Sequence, residues 1–176
     1  QHRAMTKRWQ LAEPCPENVA EQLGTARIPA ALLWNRGVRT AEEAQQFLAP
    51  SFEEHLHHPS VFKDAVEAVA RVFSALEKGE RITVHGDYDA DGVTGSTLVL
   101  NVLHELSARM NTDRQLIDYY IPHRDKEGYG LQMGTVPKLA DRGTKLLITV
   151  DCGISCVVEI AEAKKQGIDT IVLDHH

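Results

Sequence analysis

The rhythm of apolar positions changes near residue 60. Residues 1–60 hold five of the seven prolines (Pro14, Pro16, Pro29, Pro50, Pro59) and no run with the texture of a strand. Short helices are expected there. One falls within Val19 to Leu33, interrupted near Gly24 and Pro29. Another is opened by the capping-box pair Thr40 and Glu43 and stopped by Pro50. These residues read as an N-terminal helical appendage, in which Trp9 and Trp34 are expected to pack against the main body.

From Val61 the pattern becomes regular. Phe62, Val66, Val69, Val72, Phe73 and Leu76 recur at helical spacing, with Gly79 behind them as a stop. Phe62, Val66, Val69 and Phe73 read as a core stripe. Arg81 to His85 is a short β-branched strand, and Leu98 to Leu106 marks the next helix. Leu116 to Ile121 is a strand closed by Pro122, followed by a helix over Gln132 to Asp141. Leu146 to Val150 is almost continuously apolar, as a strand covered on both faces would be. Ser155 is placed to cap a helix to Gln166, and Thr170 to Leu173 is the last strand. Strands alternating with helices over 61–176 predict an α/β domain, a mainly parallel β-sheet flanked by helices. In such sheets ligands bind beyond the carboxyl ends of the strands.

Three strands run straight into polar clusters: the first into His85, Asp87, Asp89, Asp91 and Gly92, the third into Asp151 and Cys152, the last into Asp174, His175 and His176. Carboxylates converging on one sheet edge repel one another unless a cation joins them. Oxygen donors with some imidazole suit Mn²⁺ or Mg²⁺, with Zn²⁺ as an alternative, and two ions can share a bridging carboxylate. Asp87, Asp89 and Asp91, two apart in a loop leaving a strand, are expected to share a face. A calcium loop is excluded, because its twelfth position, counted from Asp87, is Leu98 rather than Glu. Gly92 lets the chain turn closely into the next helix, whose first amides offer an anion site. A fourth segment, Ile121 to Leu131, brings Arg124 as a planar fork for phosphate, Gly128 and Gly130 for close backbone approach, and Tyr129 to stack on a base or sugar. Cys152 reads as a small space-filler beside the site.

Composition narrows the function classes. With 43% hydrophobic residues among 176, disorder is excluded as the main state. No run of about 18 apolar residues is long enough for a membrane helix, so no membrane partner is expected. The first nine residues lack the apolar stretch of a secretory signal, and three cysteines (Cys15, Cys152, Cys156) suit a reducing compartment, which predicts a cytoplasmic protein. The net charge of −6 is not that of a protein that coats DNA, so contact with a polyanion must come from a local patch or from bound metal.

Asp174-His175-His176 after an apolar strand resembles the signature of the DHH phosphoesterase superfamily. His85-Gly86-Asp87-Tyr88-Asp89-Ala90-Asp91-Gly92 is similar to its first motif, and Asp151-Cys152-Gly153 to its second. Tyr120-Ile121-Pro122-His123-Arg124 with Glu127-Gly128-Tyr129-Gly130-Leu131 resembles the branch that degrades single-stranded DNA from the 5′ end, in repair and recombination. The resemblance implies that His85 and Asp89 hold one Mn²⁺, Asp91 and His175 the other, and that Asp151 bridges them, with Asp87 in support. It gives His176 a role on the substrate phosphate or as proton donor, and Arg124 and Gly130 contact with phosphate. It implies single-stranded DNA as substrate, with single-strand-binding protein and a RecQ-type helicase as partners. Family members carry a further metal-binding aspartate and a second domain beyond this motif, so the chain is expected to be a piece of a longer protein. Two alternatives stand beside this reading: a phosphodiesterase for short oligonucleotides or cyclic dinucleotides, and a non-catalytic binding module that keeps the fold.

Overall fold

The computed structural model describes residues 10–176, which fall into two compact units divided between Val61 and Phe62. Trp9 lies outside the described residues.

The first unit is helical: α1 (Val19–Gln22), α2 (Arg27–Asn35), α3 (Ala41–Leu48) and α4 (Phe52–His55). Thr40 and Glu43 form the expected reciprocal capping box at the start of α3. Pro29 does not interrupt a helix. It is the third residue of α2, where the first-turn N–H groups have no partner to lose. The break falls at Gly24 (φ +64°). Val19, Leu23, Ala30, Leu33 and Ala44 make the core of this unit, and Trp34 packs on that core with the Arg39 guanidinium 3.9 Å above its ring. Its partner is therefore within its own unit.

The second unit holds a four-stranded sheet, β1 (Arg81–Gly86), β2 (Ile117–Tyr120), β3 (Thr144–Val150) and β4 (Asp169–Leu173), in the order β2-β1-β3-β4 and parallel throughout. Helices α5 (Ala65–Glu77) and α6 (Ala90–Met110) cover one face, α8 (Thr135–Asp141) and α9 (Val157–Lys165) the other, and α7 (Arg124–Glu127) is a single turn after β2. Period-two alternation sorts the strand residues. Ile82, Val84, Leu146 and Ile148 pack with Ala75, Leu76 and Leu103 on the α5/α6 face. Leu147 packs with Leu131, Val136, Leu139, Ala163 and Ile168 on the α8/α9 face. The helix after β1 leaves toward one face and the helix after β3 toward the other. The crevice at the carboxyl ends of these neighbouring strands is thus the topological switch point, where open α/β sheets bind ligands.

Three local readings change. Ser155 caps nothing: α9 starts at Val157 behind Cys156, and no side chain caps it. The stripe Phe62, Val66, Val69 and Phe73 is not core: these residues are 72%, 73%, 55% and 38% exposed. Helical spacing marked a face suited to burial but could not name a neighbour, and α5 buries Ala75 and Leu76 instead. The third change is at α6. It begins at Ala90, because Asp89 caps it by accepting from the N–H groups of Asp91 and Gly92, both at 3.0 Å. Asp91 and Gly92 therefore stand in the first helical turn, not in a loop.

Candidate metal centre

Strand pairing brings the clusters together. The parallel ladder continues past the strand ends: the Asp87 N–H donates to the Val150 carbonyl at 3.2 Å, and the Asp151 N–H to the Leu173 carbonyl at 2.8 Å. Asp87, Asp151 and Asp174 thus stand side by side at the switch-point end of β1, β3 and β4. Among the described residues, two groups of ligating atoms lie within 4.8 Å of one another: Asp87, Asp89 and Asp151, and Asp151, His175 and His176. Asp151 belongs to both. It is one of two described non-glycine residues at positive φ (60°), a conformation that turns the chain sharply off the buried strand.

Two of these atoms, Asp87 Oδ1 and Asp151 Oδ1, are buried without hydrogen-bond partners, and so is His85 Nε2, outside the two groups. Such orphans carry a full desolvation cost unless something absent from the protein satisfies them. Asp151 Oδ1 has no hydrogen bond but lies 2.9 Å from His175 Nε2, an ion pair when His175 is protonated and, when it is neutral, an approach that suits two donors facing one cation. Burial, with the neighbouring charges of Asp89 and Asp151, pushes the Asp87 carboxyl up. The Asp89 carboxyl is pulled down by its helix-capping bonds, first that from Gly92. A cation relieves both the repulsion and the missing bonds, and an oxygen-rich donor set with imidazole fits a hard or borderline divalent ion.

Asp174 is the residue that sequence reasoning left without a role. Its Oδ2 accepts from the Ile154 N–H at 2.9 Å. Its Oδ1 accepts from the His175 N–H at 2.8 Å and lies 2.7 Å from His176 Nδ1. Burial alone would raise this carboxyl, but these bonds outweigh it and hold it at about 2. Asp174 therefore shapes the terminal turn and fixes the His176 ring, whose own pKa it raises. Its signal was present in the sequence, since a carboxylate preceding two adjacent amides is a turn-former.

The other expected site residues divide. His85 is fully buried on the α8/α9 face, stacked on Tyr120 with ring centroids 5.6 Å apart, and burial lowers its pKa to about 4. It lies outside both groups of ligating atoms. Asp91 is also outside them, because the helix starts at Ala90; it lines an open groove of about 1120 Å³ with Asp151 and His175. Gly92 does not offer its N–H to an anion, since Asp89 takes it. A Cβ there would stand 2.5 Å from the Asp87 carbonyl oxygen, so glycine serves close packing of α6 on the β1 turn. Tyr129 reaches the site through its hydroxyl, 3.3 Å from both the Asp151 carbonyl oxygen and His176 Nδ1. Arg124 lies over the Tyr88 ring at 5.3 Å. Gly130, at φ +73°, holds a backbone conformation that side chains rarely adopt, and a Cβ added there would stand 3.4 Å from Cys156 Sγ. Cys152 is fully buried, and burial pushes its thiol up to about 12, which suits packing and not redox or ligand chemistry.

The stretch that holds this all-parallel sheet, with aspartates and paired histidines at its switch point, is matched in sequence by the DHH family, N-terminal domain, over residues 81–176, and the chain belongs to that family. Within it, the chain is similar to single-stranded-DNA-specific exonucleases called RecJ. That of Bacillus subtilis (strain 168) is 40% identical, over 98% of this chain and 21% of the relative. That of Thermus thermophilus is 39% identical, over 84% of this chain and 20% of the relative. The chain thus spans about a fifth of the length of the curated relatives it matches. Two solved structures share the fold. A crystal structure of exonuclease RecJ bound to manganese is 44% identical with a TM-score of 0.54, covering 62% of this chain and 26% of that one. A crystal structure of RecJ from Thermus thermophilus in complex with Mn²⁺ is 33% identical with a TM-score of 0.53, covering 90% and 20%.

Proposed function

We propose that this chain forms the metal-binding part of a nuclease that hydrolyses phosphodiester bonds of single-stranded DNA from the 5′ end, in repair and recombination. The observation that carries the reading is that Asp87 Oδ1 and Asp151 Oδ1, buried and without hydrogen bonds, stand among the acidic and imidazole ligating atoms at the switch point. The names of the relatives supply the substrate. Asp87, Asp89 and Asp151 would hold one Mn²⁺ or Mg²⁺, and Asp151 with His175 a second, with His85 and Asp91 close by. Bound metal supplies Lewis acidity and a water acidified to near neutral pH.

The chain's own groups do the rest. Asp174 fixes the His176 ring through Nδ1 and favours its protonated form, so His176 can hold a proton toward the leaving oxygen. Arg124 offers a planar fork to charge building on the phosphoryl oxygens. Tyr129, tied to the Asp151 carbonyl and His176, places an aromatic face where a base or sugar would lie. Cytoplasmic location and work alongside single-strand-binding protein and a RecQ-type helicase belong to the same proposal. Among the described residues no helix is long and apolar enough to cross a membrane.

The test uses the protein at its full encoded length with Mn²⁺ and single-stranded oligonucleotides blocked at the 5′ or the 3′ end. Mononucleotide release abolished only by the 5′ block is the expected result. Cleavage confined to dinucleotides or cyclic dinucleotides would replace the substrate, and absence of Mn²⁺ binding would replace the enzyme with a binding module.

A further inference from the structure

The loop His123 to Gly130 carries both Arg124 and Tyr129, yet it has little to hold it. Its only helix, α7, has four residues, and one turn is not stable by itself in water. Gly128 (φ +81°) and Gly130 (φ +73°) follow it, so the backbone on that side is permissive. The Tyr129 end is held by its hydroxyl, which donates to the Asp151 carbonyl oxygen, and by Gln132 Nε2, which donates to the Tyr129 carbonyl; the turn that carries Arg124 is held to the neighbouring strand and helix by one carboxylate. Glu127 Oε2 accepts from the His123 N–H at 2.9 Å, closing the turn on itself. Glu127 Oε1 accepts from the Tyr120 hydroxyl and from Lys138 Nζ, the latter at 2.8 Å. Lys138 Nζ also donates to the Tyr120 oxygen at 3.2 Å. Tyr120 is the last residue of β2, paired in register with His85, and Lys138 is in α8.

The geometry points to Glu127 as a positioning residue: it latches the Arg124–Tyr129 loop to β2 and α8, so that the strand-contacting groups sit at a fixed distance from the metal-facing carboxylates. The inference rests on the proposed function, in which Arg124 and Tyr129 meet the substrate. Glu127 touches neither substrate nor metal; it acts through the loop. Three donors converge on it, and they hold its carboxyl at about 2, led by the Lys138 ammonium, so it is charged at any working pH. The Tyr120 ring, stacked on His85, gives the latch a rigid base on the same sheet edge as the site.

The experiment compares Glu127→Gln, Tyr120→Phe and Arg124→Ala in the full-length protein on a single-stranded oligonucleotide with Mn²⁺, reading KM, kcat, the Mn²⁺ concentration for half-maximal rate, and Tm. Tyr120→Phe keeps the ring on His85 and removes only the hydroxyl, so it tests the latch even if Glu127→Gln folds poorly. The expected result is a KM raised about tenfold in both latch variants, with a smaller fall in kcat and no change in Mn²⁺ dependence, the size of one lost charge-assisted hydrogen bond. If Arg124→Ala raises KM while both latch variants leave it unchanged, the latch is refuted and the loop reading survives. The latch is also refuted if KM, Mn²⁺ dependence and Tm all shift together, since that marks general loosening of the fold. If Arg124→Ala leaves KM unchanged, or the unaltered protein hydrolyses no strand, the proposed function beneath the inference is what fails.

Discussion

Replacing Gly92 with Ala sets two effects of known size against each other. Gly92 lies in the first turn of α6, with a φ that other residues adopt. Helix propensity alone makes Gly→Ala stabilising there by about 0.5–1 kcal/mol. The packing says the opposite. The added Cβ would lie 2.5 Å from the Asp87 carbonyl oxygen and 2.7 Å from its carbonyl carbon and Cα. These are backbone atoms, and relief to even 3.0 Å needs a shift of about 0.5 Å, the difference between 3.0 and 2.5. Overpacking of this kind costs about 1–3 kcal/mol, which exceeds the propensity gain. With central values, about 2 kcal/mol lost against about 0.75 gained leaves about 1.25 kcal/mol, which lowers Tm by about 3–5 °C at ~2–4 °C per kcal/mol. The same shift displaces the Asp87 carboxylate from Asp89 and Asp151 by an amount at the tolerance of a preorganised site. Mn²⁺ affinity, measured by calorimetry, should therefore fall about 10–100-fold, as for other losses of support to a metal ligand. An alanine variant with raised Tm and unchanged Mn²⁺ affinity would show that α6 is not pressed onto the Asp87 backbone and that propensity decides at this position.

Three further outcomes are expected. Asp151→Asn, which keeps shape and removes charge from the residue shared by both donor groups, should weaken Mn²⁺ binding more than Asp91→Asn does; the reverse order in calorimetry would return Asp91 to the centre of the site. Without metal, acid should destabilise the fold in two windows. Glu127 and Asp174 have pKa values of about 2 against ordinary values of 4.5 and 3.8, so their contribution is present above those ordinary values and is lost as pH falls through about 2. His85, buried neutral with its pKa lowered from 6.5 to about 4, favours unfolding as pH falls between those values; a denaturation midpoint flat from pH 7 to pH 4 would contradict its burial. Cys152, with its thiol pushed up to about 12, should resist iodoacetamide at pH 8 in the folded protein, and rapid labelling read by mass spectrometry would contradict the buried packing.

The strands were legible because their chemistry is local. Leu146 to Val150 is apolar but for Thr149, and the observed β3 (Thr144–Val150) is buried except at Lys145. Polar residues directly after three such strands were legible for the same reason, since parallel strands end on a common edge. What the sequence could not show was which neighbour each residue would have. The three aspartates at 87, 89 and 91 looked equivalent by spacing. One hydrogen-bond choice, Asp89 capping α6, separated them. The α5 stripe had the right period and no described neighbour to cover it. Glu127 and Asp174 act through bonds to residues brought in by β2, α8 and the turn before α9, and no periodicity records those bonds.

Asp151 sits at φ 60°, where a side chain is disfavoured and glycine is not. The chain thus keeps a carboxylate at a point where its own backbone would be more comfortable with nothing. Stability and chemistry pull in opposite directions at this one position. A screen that rewarded heat resistance alone would favour Gly there and would return a sturdier protein that had lost the group shared by both halves of its site. On the proposed function, heat resistance gained at this residue would therefore come with loss of the metal-holding carboxylate.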